Sequence, residues 1–260
     1  AYPYVTRPVK DGGLGFDYKW NMGWMNDVLS YVRIDPLFRK YEHNKLNFSM
    51  MYAFSEHYIL PISHDEVVHG KCSLLNKQFG SYDDKFAGDR AFMGYMIAHP
   101  GKKLMFMGAE FGQFKEWNYK EGLEFFLKDY EKHAKLDRFF TELNKLYLAE
   151  PALFGDDDGW DGFEWLAADD KDLNSLAFVR KFGGEKIIVA INFSGTDIKY
   201  RFAAEKGNYK VLFDSDKKIY GGDGKRRKRV YKTEKKEWNG KPYSLEVDLP
   251  KLSFIYLKNK

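Results

Sequence analysis

Hydrophobic and polar positions follow two rhythms along the chain, and the change falls near Pro151. Before it, helical and strand patterns alternate. Tyr58-Ile59-Leu60-Pro61-Ile62 is a short apolar run that ends at Ser63-His64-Asp65. Residues 83–98 carry a helical pattern: Asp83 or Asp84 can cap its start, Phe86, Met93, Met96 and Ile97 fall near one face, and Pro100 stops it. Leu104-Met105-Phe106-Met107 reads as a fully buried strand that ends at Gly108-Ala109-Glu110. Leu136, Phe139, Phe140, Leu143 and Leu146 recur at three- and four-residue steps, which predicts a helix that stops before Pro151. Strand, polar loop, helix is the grammar of a parallel β/α domain, with a candidate active face where the strands end.

After Pro151 the pattern becomes all-β. Leu176–Lys181, Lys186–Phe193, Tyr209–Phe213, Tyr243–Leu249 and Leu252–Leu257 are short β-branched or aromatic runs. Leu245-Glu246-Val247-Asp248-Leu249 alternates strictly, and Gly-, Asp- and Ser-containing turns separate the runs. A small antiparallel sandwich or barrel fits. Residues from about 155 onward are expected to fold alone, whereas 1–150, with open strand edges, are not.

Composition narrows the reading. With 44% apolar residues among 260, the chain can bury a sizeable core. No apolar window is long enough for a transmembrane helix. One cysteine, Cys72, excludes an internal disulfide framework and fits a reducing compartment. Net charge is only +4, and all of it arises after Pro151. The marked bias is aromatic, with 6 Trp, 18 Tyr and 22 Phe. The sequence opens at Ala1 without a Met, so it is expected to be the tail of a longer chain.

Four clusters are candidates for chemistry. Ser63-His64-Asp65-Glu66-Val67-Val68-His69-Gly70-Lys71 follows a buried strand, where a carboxylate can be aimed into a cleft. A zincin helix needs two histidines four apart, but His64 and His69 are five apart, so metal is disfavoured against a catalytic site or a buried His64–Asp65 pair. Glu110, Gln113, Glu116, Trp117 and Asn118 combine carboxylate, amide and indole, which suits a sugar as well as it suits a covering loop. Trp20, Asn21 and Trp24 either line a carbohydrate groove or pack in the core. Lys225-Arg226-Arg227-Lys228-Arg229 looks like a nucleic-acid patch, yet a solvated hairpin loop is simpler. Cys72 lies near His69, but a thiol catalyst needs a positioned base.

Several of these runs together resemble the glycogen (1,4-α-glucan) branching enzymes of the α-amylase superfamily. They are Gly12-Gly13-Leu14-Gly15-Phe16 with Lys19–Met25, Leu60–Lys71, and Phe106–Gln113 with Glu116-Trp117-Asn118. Phe163-Glu164-Trp165 and Ile219-Tyr220-Gly221-Gly222 fit the family's C-terminal domain, and the similarity runs in order over nearly the whole chain.

The resemblance implies an α/β plus all-β protein: the C-terminal part of a (β/α)₈ TIM barrel in residues 1–152, then an antiparallel β-sandwich domain in 153–260. Ala1-Tyr2-Pro3 and Val5-Thr6-Arg7-Pro8 look like the stretch after the fifth barrel strand, so the nucleophile Asp and the acid/base Glu of the retaining reaction are expected upstream, absent from this chain. The resemblance assigns Asp65 as the transition-state-stabilising carboxylate and His64 as a sugar-binding partner. Trp20, Asn21, Trp24, Glu110, Gln113 and Trp117 are the further substrate-binding candidates. It implies an α-glucan substrate, no cofactor, no metal, no nucleic-acid or membrane partner, a cytoplasmic location and a monomeric whole enzyme. The basic run at Lys225–Lys236 departs from the family pattern.

Overall fold

A computed structural model describes residues 4–226 and 228–259. Ala1-Tyr2-Pro3 and Arg227 of the basic run lie outside the described residues. Three short strands form a parallel sheet in chain order: β1 (Lys19–Trp20), β2 (Tyr58–Ile62) and β3 (Lys102–Met105). Trp20 pairs with Ile59, and Ile62 pairs with Met105, so all three strands end at one edge. Pro61 sits within β2 beyond its last pair with β1, where the chain has already turned into helix α1 (Met22–Val32). A missing N–H is tolerated where the neighbouring strand has stopped.

The expected strand at 104–107 starts two residues earlier and is only half-buried. Among the described residues β3 pairs on one side alone, so burial on both sides was the wrong expectation. Two single-turn helices, α2 (Asn44–Asn47) and α3 (Leu74–Lys77), sit in the connections. Helix α4 (Tyr82–Ala98) is capped by Ser81 rather than by Asp83 or Asp84. Ser81 Oγ accepts the Asp84 N–H, and the Asp84 carboxylate accepts from Ser81 in return. This is a capping box with Asp in the Glu position. From Gly88 to Ala98 every residue of α4 is buried, so it has no polar face. Helix α5 (Glu131–Ala149) is amphipathic and buries His133, Leu136, Phe139, Phe140 and Leu143.

The second part holds β4 (Phe163–Asp170), β5 (Ser175–Phe182), β6 (Glu185–Asn192), β7 (Ile198–Ala203), β8 (Asn208–Asp214), β9 (Val230–Lys232), β10 (Ser244–Leu249) and β11 (Ser253–Asn259). Six of them form one antiparallel sheet in the order β4-β5-β6-β11-β8-β9, and β7 and β10 form a separate two-stranded sheet. The sequence reading missed β4, β7 and β9. In β7 the buried Tyr200 and Phe202 alternate with Lys199 and Arg201, the same half-buried strand pattern that Leu245–Leu249 shows.

The side-chain alternation explains why β5, β6 and β11 are apolar without a break. Leu176 and Phe178, Ile187, Val189 and Ile191, and Phe254 and Tyr256 share one core with α4 and α5. Ala177 and Val179, Ile188 and Ala190, and Ile255 and Leu257 face a second core with Tyr200, Phe202, Leu245 and Val247. The six-stranded sheet is therefore a middle layer, covered on both faces. This revises the expectation that residues from about 155 onward fold alone, because separation would expose the whole first face.

Three contacts fix the seam. Tyr256 Oη donates to the Gly94 carbonyl, and a Cβ built on Gly94 would lie 2.2 Å from Phe254 Cδ1. Arg180, fully buried on β5, donates to Ala98 O at 2.7 Å, Gly162 O at 3.2 Å and Asp156 O at 2.9 Å, and pairs with Asp157 at 2.7 Å. Arg39 joins Ile34 O, Val32 O and Phe193 O, the last at 2.7 Å across the two parts. At the other end of the chain, Glu56 ties down the segment before β1. It accepts from Val5 N at 3.1 Å, Thr6 N at 2.7 Å and Thr6 Oγ1 at 2.8 Å, and pairs with Lys19 at 3.0 Å. Burial alone would raise its carboxyl, but these donors take it down to about 2.

The basic run is not a continuous charged face. Arg226 is buried, pairs with Asp214 and donates to Asp248 O at 2.8 Å, while Lys225 pairs with Asp197 at 2.9 Å and Asp223 at 3.3 Å.

Two outcomes test this packing. Gly94→Ala lowers unfolding stability by about 3 kcal/mol in urea titrations, because the new methyl must push Phe254 from the sheet. Glu56 stabilises fully above its ordinary 4.5, and that contribution is lost as pH falls from 4.5 towards about 2. The urea midpoint of the natural protein therefore drops between pH 6 and pH 3 more than that of Glu56→Gln.

Candidate active site

The common edge of β1, β2 and β3 carries the clusters singled out in the sequence. Past β2 the chain makes one 3-10 turn, His64–Val67. Ser63 caps it: its N–H and hydroxyl both donate to Glu66 Oε2 at 2.6 Å, and its Oγ accepts the Asp65 N–H at 3.3 Å. Glu66 is thereby turned inward and buried. His64 and Asp65 are thrown outward, with side chains 48% and 61% exposed and His64 Nε2 3.2 Å from Asp65 Oδ1. A buried His64–Asp65 pair is thus overturned: the two are adjacent, but at the surface. Three consecutive polar residues divide into one structural acid and two groups free to meet a ligand.

His64 is held by aromatic rings. Its centroid lies 5.8 Å from Trp117 in an edge-on arrangement and 6.0 Å from Phe106, and those two rings pack edge-on at 5.1 Å. Phe106 follows β3, with its N–H bonded to Ile62 O at 2.8 Å, and the Trp117 N–H bonds Val67 O at 2.9 Å. The sequence reading placed Phe106 in a strand and in a family-like run and missed its place beside His64. Its position immediately after a strand end is the signal that was available.

The remaining candidates separate. Trp24 is completely buried on α1, stacked against Phe92 at 6.2 Å and Tyr95 at 6.5 Å, so it belongs to the core and not to a groove. Asn21 is buried too, and its Oδ1 caps α1 by accepting the Trp24 N–H at 2.9 Å. Trp20 keeps an exposed face at the end of β1. Glu110 accepts the Gly108 N–H at 2.8 Å within its own turn. Gln113 is buried, accepting the Glu124 N–H at 3.2 Å and donating to Lys115 O at 3.3 Å. Helix capping and loop closure occupy Asn21, Glu110 and Gln113, functions that composition does not distinguish from sugar binding. Among the described residues no three His, Cys, Asp or Glu are grouped to hold a metal ion. Nor is any helix among them long and apolar enough to cross a membrane.

The architecture has close parallels. Residues 165–260 match the family described as alpha amylase, C-terminal all-beta domain. The fold resembles the alpha-amylase from H. orenii (TM-score 0.62, 15% identity, 95% of this chain and 49% of that one). It also resembles a cyclomaltodextrinase (TM-score 0.61, 15% identity, 94% of this chain and 37% of that one). The class is therefore an α/β part joined to an α-amylase-type C-terminal all-β domain. In sequence the chain is 47% identical to the 1,4-alpha-glucan branching enzyme GlgB of Halothermothrix orenii over 99% of its length, and 51% identical to that of Fusobacterium nucleatum over 100%. It is similar to these 1,4-α-glucan branching enzymes over nearly its whole length, and it spans 42% and 43% of the length of those two relatives.

The two tryptophans of the first cluster give a direct test. Trp24→Ala destabilises the protein by about 3–5 kcal/mol in denaturant titration, while Trp20→Ala shifts stability by less than about 1 kcal/mol.

Proposed function

We propose that this chain is the C-terminal portion of a 1,4-α-glucan branching enzyme, and that Asp65 is the carboxylate that stabilises the transition state in the whole protein. The observation that carries the reading is the exposed His64–Asp65 pair at the end of β2, on the edge shared by three parallel strands. Parallel β/α domains place their chemistry at that edge. We assign β1, β2 and β3 to a (β/α)₈ barrel, with the barrel portion in residues 1–152 and the all-β domain in 153–260.

The reaction is a double displacement. A carboxylate attacks the anomeric carbon of an α-1,4-glucan, and a carboxylic acid protonates the departing 4-oxygen. A 6-hydroxyl of a second glucan segment then attacks the glycosyl intermediate and returns its proton to the acid/base, forming the α-1,6 branch. Neither of those two carboxyls is assigned to a residue of this chain, so the activity is that of the whole protein. Asp65 contributes in both steps. It accepts hydrogen bonds from sugar hydroxyls, and its negative charge favours the oxocarbenium-like transition state over the neutral ground state. His64 donates or accepts at the same sugar, held at its angle by Trp117 and Phe106. The exposed face of Trp20 is offered for stacking of a further glucose ring. The partner is α-glucan, bound through neutral hydroxyls and ring faces, and the whole enzyme is a cytoplasmic monomer that needs no cofactor.

Asp65→Asn in the whole protein keeps the shape of the side chain and removes its charge. Branching of a linear α-1,4-glucan falls by at least about 10²–10³-fold, with unchanged circular dichroism and thermal midpoint. Activity within threefold of the natural protein would sink the assignment.

A further inference from the structure

The loop behind Asp65 belongs to no helix or strand. Within it His69 (φ 53°), Gly70 (φ 78°) and Cys72 (φ 69°) all lie in the left-handed region. Only one of the three is glycine, so something outside the loop must hold its backbone. That group is Glu116. Its Oε2 accepts the Gly70 N–H at 2.8 Å, and its Oε1 accepts the Cys72 N–H at 2.7 Å. These two backbone donors hold the Glu116 carboxyl below its ordinary range.

The carbonyls are gripped from the opposite side. Lys71 O accepts from Arg33 Nη2 at 2.5 Å and from Lys77 Nζ, and Cys72 O accepts from Lys77 Nζ at 3.0 Å. Inside this grip, the Lys71 ammonium reaches back to the Asp65 carbonyl at 2.8 Å. The next residue after Glu116 is Trp117, whose N–H bonds Val67 O and whose ring abuts His64. One dipeptide therefore touches both sides of the candidate site: its acid fixes the loop that Asp65 leads into, and its indole fixes the His64 ring.

We propose that Glu116 is a positioning residue for the His64–Asp65 site, acting through the His69–Cys72 backbone. The proposal rests on the branching reading above. Glu116 fixes where the Lys71 ammonium meets the Asp65 main chain, and so fixes the wall beside the bound sugar. A loosened wall misplaces the 6-hydroxyl acceptor and admits water to the glycosyl intermediate.

The test uses Glu116→Gln in the whole protein. The amide keeps the size of the side chain but replaces one acceptor oxygen with an NH₂ group, which cannot accept an N–H bond. Two quantities are read. The first is the rate at which the Gly70 and Cys72 backbone amides, the two donors to Glu116, exchange with solvent deuterium. The second is the ratio of branches formed to reducing ends released by hydrolysis, which does not depend on the fraction of molecules folded.

Expected are a roughly tenfold faster exchange, the scale of one lost hydrogen bond, and a product ratio lowered at least about threefold. Glu121→Gln, at an exposed acid that pairs with Lys115 at 3.6 Å and accepts from Asn118 Nδ2 at 3.2 Å, leaves both unchanged. An unchanged exchange rate overturns the proposal, because Glu116 then does not hold the loop. Faster exchange with an unchanged product ratio also overturns it, because Glu116 then serves the loop alone. If the natural whole protein forms no branches, the functional reading falls and takes this one with it. An active natural protein with an unmoved variant removes only the positioning role.

Discussion

Everything in this molecule is arranged around helix α4, which has no solvent face over its last eleven residues. It lies between the parallel sheet and the six-stranded antiparallel sheet, and a helix buried all round must meet each neighbour at close range. Gly94 makes that approach possible on one side, because no side chain stands between the helix backbone and the Phe254 ring. Close approach then lets Tyr256 reach the Gly94 carbonyl, and lets Arg180 collect the carbonyl of Ala98 at the end of the helix. Two guanidinium groups, Arg180 and Arg39, are buried at this seam. Each is satisfied chiefly by backbone carbonyls, so truncating either leaves orphaned acceptors inside the protein.

The seam matters for the site because it fixes β2 and β3 relative to one another. Both strands have their connecting helices anchored on the β part, so their ends present His64, Asp65 and Phe106 at a set height. Short-range devices finish the arrangement. Ser63 and Glu66 close a one-turn cap that turns Asp65 outward, and Trp117 and Phe106 close on His64 from the next strand end. The loop after this corner, with its left-handed residues, depends on charged side chains contributed by other segments.

Much of this was legible in the chain. The strand at Tyr58–Ile62, the helices around Phe86–Ile97 and Leu136–Leu146, and five of the eight later strands follow from spacing alone. Strand runs that bury both faces are hydrophobic without interruption, and no other layer arrangement needs that. The missed elements differ: β7 alternates lysine and arginine with its buried rings, a strand signal that the sequence did carry, whereas β9 has three residues, too few to show a period. The sequence also carried the strand-end cluster in which Asp65 and His64 stand.

What the amino-acid order determined by itself was the kind of layer each segment makes, and the family motifs that such layers bear. Both depend on neighbours close in the chain, whose spacing sets a face. Tertiary structure decided which members of each polar cluster are free. Asn21 and Glu66 became caps, Glu110 and Gln113 closed turns, and Trp24 went into the core, while Trp20, His64 and Asp65 stayed at the surface. Identical side-chain chemistry serves a hydrogen bond to the backbone or to a sugar, and only the positions of distant segments determine which partner is within reach.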